Sequence, residues 1–247
     1  FKPREYQNLI INQILDKPRT AIWAGMGMGK TSSTLTALET MYLAGESRPT
    51  LVLAPLRVCN STWPEEAHKW AHLTEIDVQP VTGDEKNRLA ALKRDVSIYA
   101  CNYQNIPWLV DHYGAHWPFG TVVADESTRL KSFRLRQGGV RAQALAKVAH
   151  KNVKRFINLT GTPAPNGLQD LWGQTWFLDA GQRLGRTYSA FTDRWFCRTA
   201  DGFGRELRSQ SAADEIYNKL RDICLTIEAR DWFDLKEPIV KEIEVEM

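Results

Sequence analysis

Short apolar runs alternate with stretches of helical periodicity along the first two thirds of the chain. The runs at 20–24, 50–54, 76–81, 96–101, 121–124 and 155–159 hold mostly β-branched and aliphatic side chains, the pattern of strands buried on both faces. Between them, 30–43, 61–72, 84–93, 105–113 and 137–149 carry the spacing of helices that cover a sheet. This alternation predicts an α/β domain with a central, mostly parallel sheet and helices on both faces. Ligands of such sheets gather at the carboxyl ends of the strands, so chemistry is expected in the residues that follow each run. From Gly167 onward the pattern changes to aromatic-rich helical segments, and no further regular strand is expected. Trp172 and Trp176 share a helical face there and are read as core packing, not as a platform for stacked bases.

The loop after the first run carries the strongest chemical signal. Residues 24–31 read Ala-Gly-Met-Gly-Met-Gly-Lys-Thr, the phosphate-loop pattern G-x-x-x-x-G-K-[ST] with Ala24 in place of the first glycine. Between a strand and a helix, the glycines let backbone N–H groups crowd around phosphate oxygens, and the positive end of the helix opened by Lys30 faces them. The expected nucleotide-binding set is Gly25, Met26, Gly27, Met28, Gly29, Lys30, Thr31 and Ser32. Lys30 would reach the β- and γ-phosphates and Thr31 a magnesium ion.

A second motif, Thr121-Val-Val-Ala-Asp125-Glu126, ends an apolar run in two carboxylates. Such a strand end can supply an Asp that holds the hydrated metal and an acidic neighbour that activates the attacking water. Asp125 takes the first role, partly through water, and Glu126 the second. An acidic pair behind a strand is also a common helix-start charge pair. Its separation from the phosphate loop is what makes it the second half of a triphosphatase site.

The formal charge of +3 is unevenly spread. Between Ser127 and Gln169 there is no Asp or Glu, but there are nine cations: Arg129, Lys131, Arg134, Arg136, Arg141, Lys147, Lys151, Lys154 and Arg155. A one-sign segment beside a catalytic motif is the footprint expected for a polyanion, against the alternative of a solvated helix face. Further on, arginines 183, 186, 194, 198, 205 and 208 interleave with Tyr188, Phe191, Trp195, Phe196 and Phe203. This suits a surface that tracks a nucleic-acid backbone, or equally a protrusion whose aromatics pack and whose arginines stay solvated. The four cysteines are widely spaced and suggest neither a disulfide framework nor a zinc site. His68/His72 and His112/His116 have a zinc-compatible spacing of four, without the H-E-x-x-H pattern or a third ligand, and no metal site is expected there. No apolar run is long enough to cross a bilayer.

Taken together, the motifs resemble the first RecA-like lobe of superfamily-two helicases, and within them the Swi/Snf-like DNA translocases, over essentially the whole chain. Pro3-Arg4-Glu5-Tyr6-Gln7 resembles the adenine-sensing element of that family, which implies Arg4 and Gln7 at the nucleotide, with Gln7 reading the adenine edge. The stretch from Thr50 through Pro55, Leu56, Arg57 and Val58, followed by Trp63, Glu66 and Trp70, is similar to motif Ia and the tryptophan-bearing helix behind it. Asp125-Glu126-Ser127-Thr128, followed by Lys131-Ser132, sits where the family has Asp-Glu-Ala-His and a Lys-Asn pair, so the family's histidine has no counterpart. Leu159-Thr-Gly-Thr-Pro-Ala-Pro-Asn166, then Asp170-Leu-Trp172 and Phe177-Leu178, resembles motif III and its following helix, the most specific of the matches.

This resemblance implies a RecA-like lobe at 1–165, a helical protrusion packed on it at 166–234, and at 235–247 a linker and first strand of a second RecA-like lobe. It implies ATP and Mg2+ held between two lobes, Thr160, Gly161 and Thr162 coupling hydrolysis to strand contact, and nucleic acid, most of all duplex DNA, on Pro55, Arg57, Arg129, Lys131, Arg134 and Arg136. The expected enzyme is a monomeric DNA translocase with no membrane partner. A second lobe needs on the order of 150 further residues and would carry the arginine finger. The chain, which opens on Phe1, is therefore expected to be part of a longer protein and weakly active alone. Two other readings remain: a nucleotide-gated binding switch without motor activity, and a strand-separating DNA or RNA helicase. The compact motif spacing resembles a phage or bacterial member, which places it in the cytoplasm of a bacterium or infected host cell; a eukaryotic member would be nuclear.

Overall fold

In chain order, the computed structural model contains α1 (Glu5–Asp16), β1 (Arg19–Ala24), α2 (Lys30–Leu43), β2 (Thr50–Ala54), α3 (Leu56–Asn60), α4 (Thr62–Lys69), β3 (Val78–Val81), α5 (Glu85–Leu92), β4 (Ile98–Asn102) and α6 (Ile106–Tyr113). There follow β5 (Thr121–Asp125), α7 (Val140–Ala149), β6 (Arg155–Thr160), α8 (Asp170–Asp179), α9 (Tyr188–Trp195), β7 (Phe196–Arg198), β8 (Arg205–Leu207), α10 (Gln210–Leu220) and β9 (Cys224–Ile227). Residues 2–199 and 204–233 are described. The linker and strand expected at 235–247, and Phe203, lie outside them.

Among the described residues, seven strands form one sheet in the order β3-β4-β2-β5-β6-β1-β9, every neighbouring pair parallel. Strand alternation sends side chains to two cores. Ala21, Trp23, Leu51, Leu53, Tyr99, Cys101, Val122 and Ala124 join one, with α6, α7 and α8 packed over it. Ile22, Ala24, Val52, Ala54, Ile98, Ala100 and Val123 join the other, under α1, α2 and α4. Both faces are covered, which is why the runs read as continuously apolar in sequence.

Three details differ from the periodicity. The expected helix at 61–72 ends at Lys69 and is preceded by the separate α3; Pro64 in the first turn of α4 has no N–H to extend a helix backward. An unpredicted α1 buries Tyr6, Ile10, Ile11 and Ile14 against the sheet. Strands also do not stop at Gly167. β7 and β8 pair antiparallel, and β9 returns to the main sheet beside β1, with Ala21 opposite Cys224 and Ala24 opposite Ile227. Strands of three or four residues are too short to display a period of two.

At the amino ends of the strands, arginine side chains take up carbonyls left by helix ends and connecting loops. Arg19 donates to the carbonyls of Ala149, Val153 and Phe177, each at 2.7 Å, and Arg48 to those of Pro118, Phe119 and Asn152. The carboxyl ends carry the site.

Candidate nucleotide site and basic surface

β1 ends at Ala24 and α2 begins at Lys30, so residues 25–29 make the whole turn. Gly27 and Gly29 are both left-handed, at φ 75° and 69°, a conformation a side chain disfavours. Among the described residues, nothing lies within 4 Å of where a Gly27 side chain would stand, so the backbone there is open to a ligand. At Gly29 the corresponding space is filled by the Gln7 amide, whose Oε1 accepts from the Arg4 N–H at 2.9 Å. Gln7 thus ties the start of α1 to the loop. The loop's two methionines diverge: Met28 is buried and closes it from beneath, whereas Met26 points into solvent. Lys30 Nζ donates to the carbonyls of Ala24 at 2.6 Å and Gly25 at 2.9 Å, which holds the ammonium inside the loop. Burial lowers its pKa, opposed by the charges of Asp125 and Glu126. Ser32 Oγ donates to the Gly29 carbonyl. A hollow of about 370 Å³ opens here, lined by Gln7, Thr31, Thr62, Glu66, Lys69 and Trp70 among others. Arg4 sits farther out with its guanidinium 5.0 Å from the Phe233 ring.

Sheet order brings the other motifs to this loop, because β5, β6 and β1 are neighbours. The register sets Asp125 opposite Leu159, and Thr160 opposite Trp23. Glu126 is one of two non-glycine residues described with positive φ, at 59°, and its Oε2 lies 3.5 Å from the Thr160 hydroxyl. Gly161 passes so close to Ala24 and Gly25 that a Cβ would stand 3.4 Å from the Ala24 carbonyl oxygen. The Thr162 N–H donates back to Thr160 Oγ1. Lys30, Asp125, Glu126 and Thr160 therefore share one strand end. Asp125 is 9% exposed; burial pushes its pKa up and Glu126 adds to the rise, against the hydrogen bond from Trp63 and the charge of Lys30.

A profile of the SNF2-related domain matches residues 19–235. The chain belongs to this family. A phage relative, "Putative protein p41" of Acyrthosiphon pisum secondary endosymbiont phage 1, is 60% identical over 252 residues covering all of this chain and 55% of that protein. Chromodomain-helicase-DNA-binding protein 7 of Gallus gallus is 29% identical over 73% of this chain and 6% of its own length. In fold, the chain is similar to the Sulfolobus solfataricus SWI2/SNF2 ATPase core, solved in complex with dsDNA: TM-score 0.72, 24% identity, 92% of this chain and 44% of that one. The chain thus spans about half the length of the phage relative.

Within this SNF2-related domain, sequence reasoning gave no site role to two residues that hold Asp125. Trp63 Nε1 donates to Asp125 Oδ2 at 2.9 Å, and the Tyr103 hydroxyl donates to the Asp125 carbonyl at 2.9 Å. Trp63 was legible as part of the helix after β2; nothing in sequence marks Tyr103. On the nucleotide side, Glu66 accepts from Trp70 Nε1 and Lys69 Nζ, which fixes the rim of the hollow.

The cation-rich segment is not one surface. Arg129, Lys131, Arg134 and Arg136 follow β5 at the carboxyl end, whereas Lys151 and Lys154 precede β6 and Arg155 opens it, at the other end. The ten residues of α7 put about 15 Å between them. Arg155 donates to the carbonyls of Ile14 and Leu15 and is structural. At the carboxyl end, Lys131 is paired with Asp170 at 3.0 Å, and Arg134 stacks 3.4 Å over the Tyr188 ring. Arg57, Arg129 and Arg136 are exposed, and Pro55 caps α3. Among the described residues, four of the six later arginines are also engaged: Arg183 with Asp179 and Asp222, Arg194 with Glu215, Arg205 with Asp193, and Arg208 with the Asp193 carbonyl. Phe191, Trp195 and Phe196 are buried, so that stretch chiefly packs the protrusion. Neither histidine pair shares a helix: His72 lies beyond α4 and His116 beyond α6.

Proposed function

We propose that this SNF2-related domain binds ATP and is the hydrolytic lobe of a DNA-dependent ATPase that translocates on duplex DNA. The observation that carries this reading is the convergence of the 25–29 loop, Asp125-Glu126 and Thr160-Gly161-Thr162 at the ends of three adjacent parallel strands. The side-chain-free backbone at Gly27 and the inward Lys30 ammonium fit a triphosphate, and the buried Asp125 carboxylate beside them fits a hydrated cation. Thr31 and Asp125 would hold Mg2+, partly through water; when bound, it neutralises charge on the transferring phosphoryl group.

The chain's own residues divide the work. Backbone N–H groups of the 25–29 loop and Lys30 orient the phosphates. Glu126 accepts the proton of the attacking water, and its position against Thr160 links that step to the 161–166 loop. Gln7, wedged against Gly29, stands where it can report the adenine end to the loop. DNA lies on the same end of the sheet, on Pro55, Arg57, Arg129 and Arg136, with Lys131 and Arg134 shaping that surface through Asp170 and Tyr188. The names of the relatives, a DNA-binding helicase and an ATPase core solved with dsDNA, support duplex DNA as the partner.

A second RecA-like lobe supplies the arginine finger on this reading. Such a finger contributes roughly 10³–10⁵ in rate in related phosphoryl transfer. By itself, the lobe described here therefore binds ATP and turns it over weakly on this reading. Titration with a fluorescent ATP analogue in Mg2+ tests this: saturable binding lost in Lys30→Ala supports it, and equal binding by the variant contradicts it.

A further inference from the structure

The residue directly after the acidic pair is buried and makes a bond that an alanine could not. Ser127, with no exposed surface, donates its hydroxyl hydrogen to Gln174 Oε1 at 2.9 Å. Gln174, 2% exposed on α8, donates through Nε2 to the Pro163 carbonyl at 2.5 Å. One side-chain amide thus joins the residue after Glu126 to the residue after Thr162. The same helix makes a parallel link one turn earlier, where Asp170 Oδ2 accepts from Lys131 Nζ and from the Asn166 N–H, each at 3.0 Å. Between the two, Gly173 lies against the carbonyls of Leu130 and Lys131 with no room for a methyl group. Asn158 Nδ2 donates to the Gln174 carbonyl at 3.0 Å and anchors the helix to β6. The direct contact between the two motifs, Glu126 Oε2 to Thr160 Oγ1, is long at 3.5 Å, so the bonds through α8 are the shorter route.

We propose that Ser127 and Gln174 are positioning residues that pass the state of the nucleotide site to the 161–166 loop. The proposal rests on the nucleotide reading above. The backbone of Glu126 is left-handed at φ 59°, a strained conformation for a residue with a side chain, and Ser127 follows it directly, so any relaxation of that backbone when a phosphate binds beside the carboxylate moves the peptide that carries Ser127. Ser127 and Gln174 are both buried and hydrogen-bonded, so that movement is conveyed to Pro163 rather than absorbed by solvent.

Hydrogen exchange on the full-length protein, with and without Mg2+ and a non-hydrolysable ATP analogue, tests this in wild type, Ser127→Ala and Ser127→Ala/Gln174→Met. The single variant leaves Gln174 Oε1 buried without its donor. The double variant removes both partners of that bond at similar volume, but it also takes the Nε2 donor from the Pro163 carbonyl, so the single variant is the one that separates transmission from the direct bond to the loop. The expected result is slowed exchange at 25–33 and at 161–167 in wild type, and in both variants full protection at 25–33 with at least a halving at 161–167. Undiminished protection of 161–167 in Ser127→Ala, or none in a wild type that is protected at 25–33, overturns the proposal. Absence of protection at 25–33 in wild type would refute nucleotide binding itself, and the proposal with it.

Discussion

The indole N–H of Trp63 donates to Oδ2 of Asp125 across 62 residues of sequence, and both side chains are buried. A carboxylate in such a site keeps its charge only while donors and cations compensate the burial. Trp63→Phe removes one of them, so the Asp125 pKa, already raised by burial, rises further. The charged carboxylate is then a smaller fraction at any given pH, and the deficit grows as pH falls. The expected outcome is a higher Mg2+ concentration for half-maximal nucleotide binding, with a larger increase at pH 6 than at pH 8, and a stability loss of about 1.5–3 kcal/mol from the lost bond to a charged group. Magnesium titrations at both pH values check it; an unchanged requirement would show that Trp63 only fills space.

Gly29 and Gly173 are fixed by different causes. Gly29→Ala places a methyl on a left-handed residue and onto the Gln7 amide, the movable end of a side chain. Nucleotide affinity should fall while the fold survives with a loss of about 1–2 kcal/mol. Gly173→Ala pushes a methyl into the backbone carbonyls of Leu130 and Lys131, which cannot swing aside. That variant should lose about 3 kcal/mol or more by thermal or urea unfolding, as overpacking against backbone does.

The division of the basic segment between two ends of the sheet predicts a division in DNA binding. Neutralising Arg57 and Arg129 together should weaken DNA affinity and reduce the salt slope by about two phosphate contacts. Neutralising Lys151 and Lys154 should change neither. Affinities measured over a range of salt would reverse this account if the second pair mattered as much as the first.

The Arg183–Asp222 pair sets a pH window for stability. The hydrogen bond from Arg183 lowers the Asp222 pKa below its ordinary value of 3.8. A carboxyl with a depressed folded pKa contributes stability that is present above the unfolded value and lost as pH falls through the folded one. Asp222 is largely exposed, so its contribution is about 0.5 kcal/mol after solvent screening. Asp222→Asn should be less stable than wild type by that amount at pH 7, and the difference should close below pH 4, by urea unfolding at both.

Much of this architecture was legible because the local and global signals agree. Gly29-Lys30-Thr31 sits where a buried strand meets a helix, and α2 and β2 have the bounds their sequence indicates. Asp125-Glu126 and Thr160-Gly161-Thr162 were legible as motifs, but their adjacency depends on strand order, which no local pattern encodes. The same limit hid Tyr103, whose hydroxyl reaches Asp125 from another strand's end, and the Ser127–Gln174 bond, which joins ordinary residues 47 positions apart. The cation-rich segment misled because charge was read along the sequence, and a helix of ten residues carries its two flanks to opposite ends of the strands. β9 escaped because a four-residue, half-exposed strand has no period to detect.

The central claim is tested most directly by the ATPase rate of the full-length protein with no nucleic acid, duplex DNA, single-stranded DNA and RNA, beside a Lys30→Ala control. The account predicts turnover raised chiefly by duplex DNA and abolished in the control. Stimulation chiefly by single strands or RNA, or saturable ATP binding with no stimulation by any nucleic acid, would contradict it.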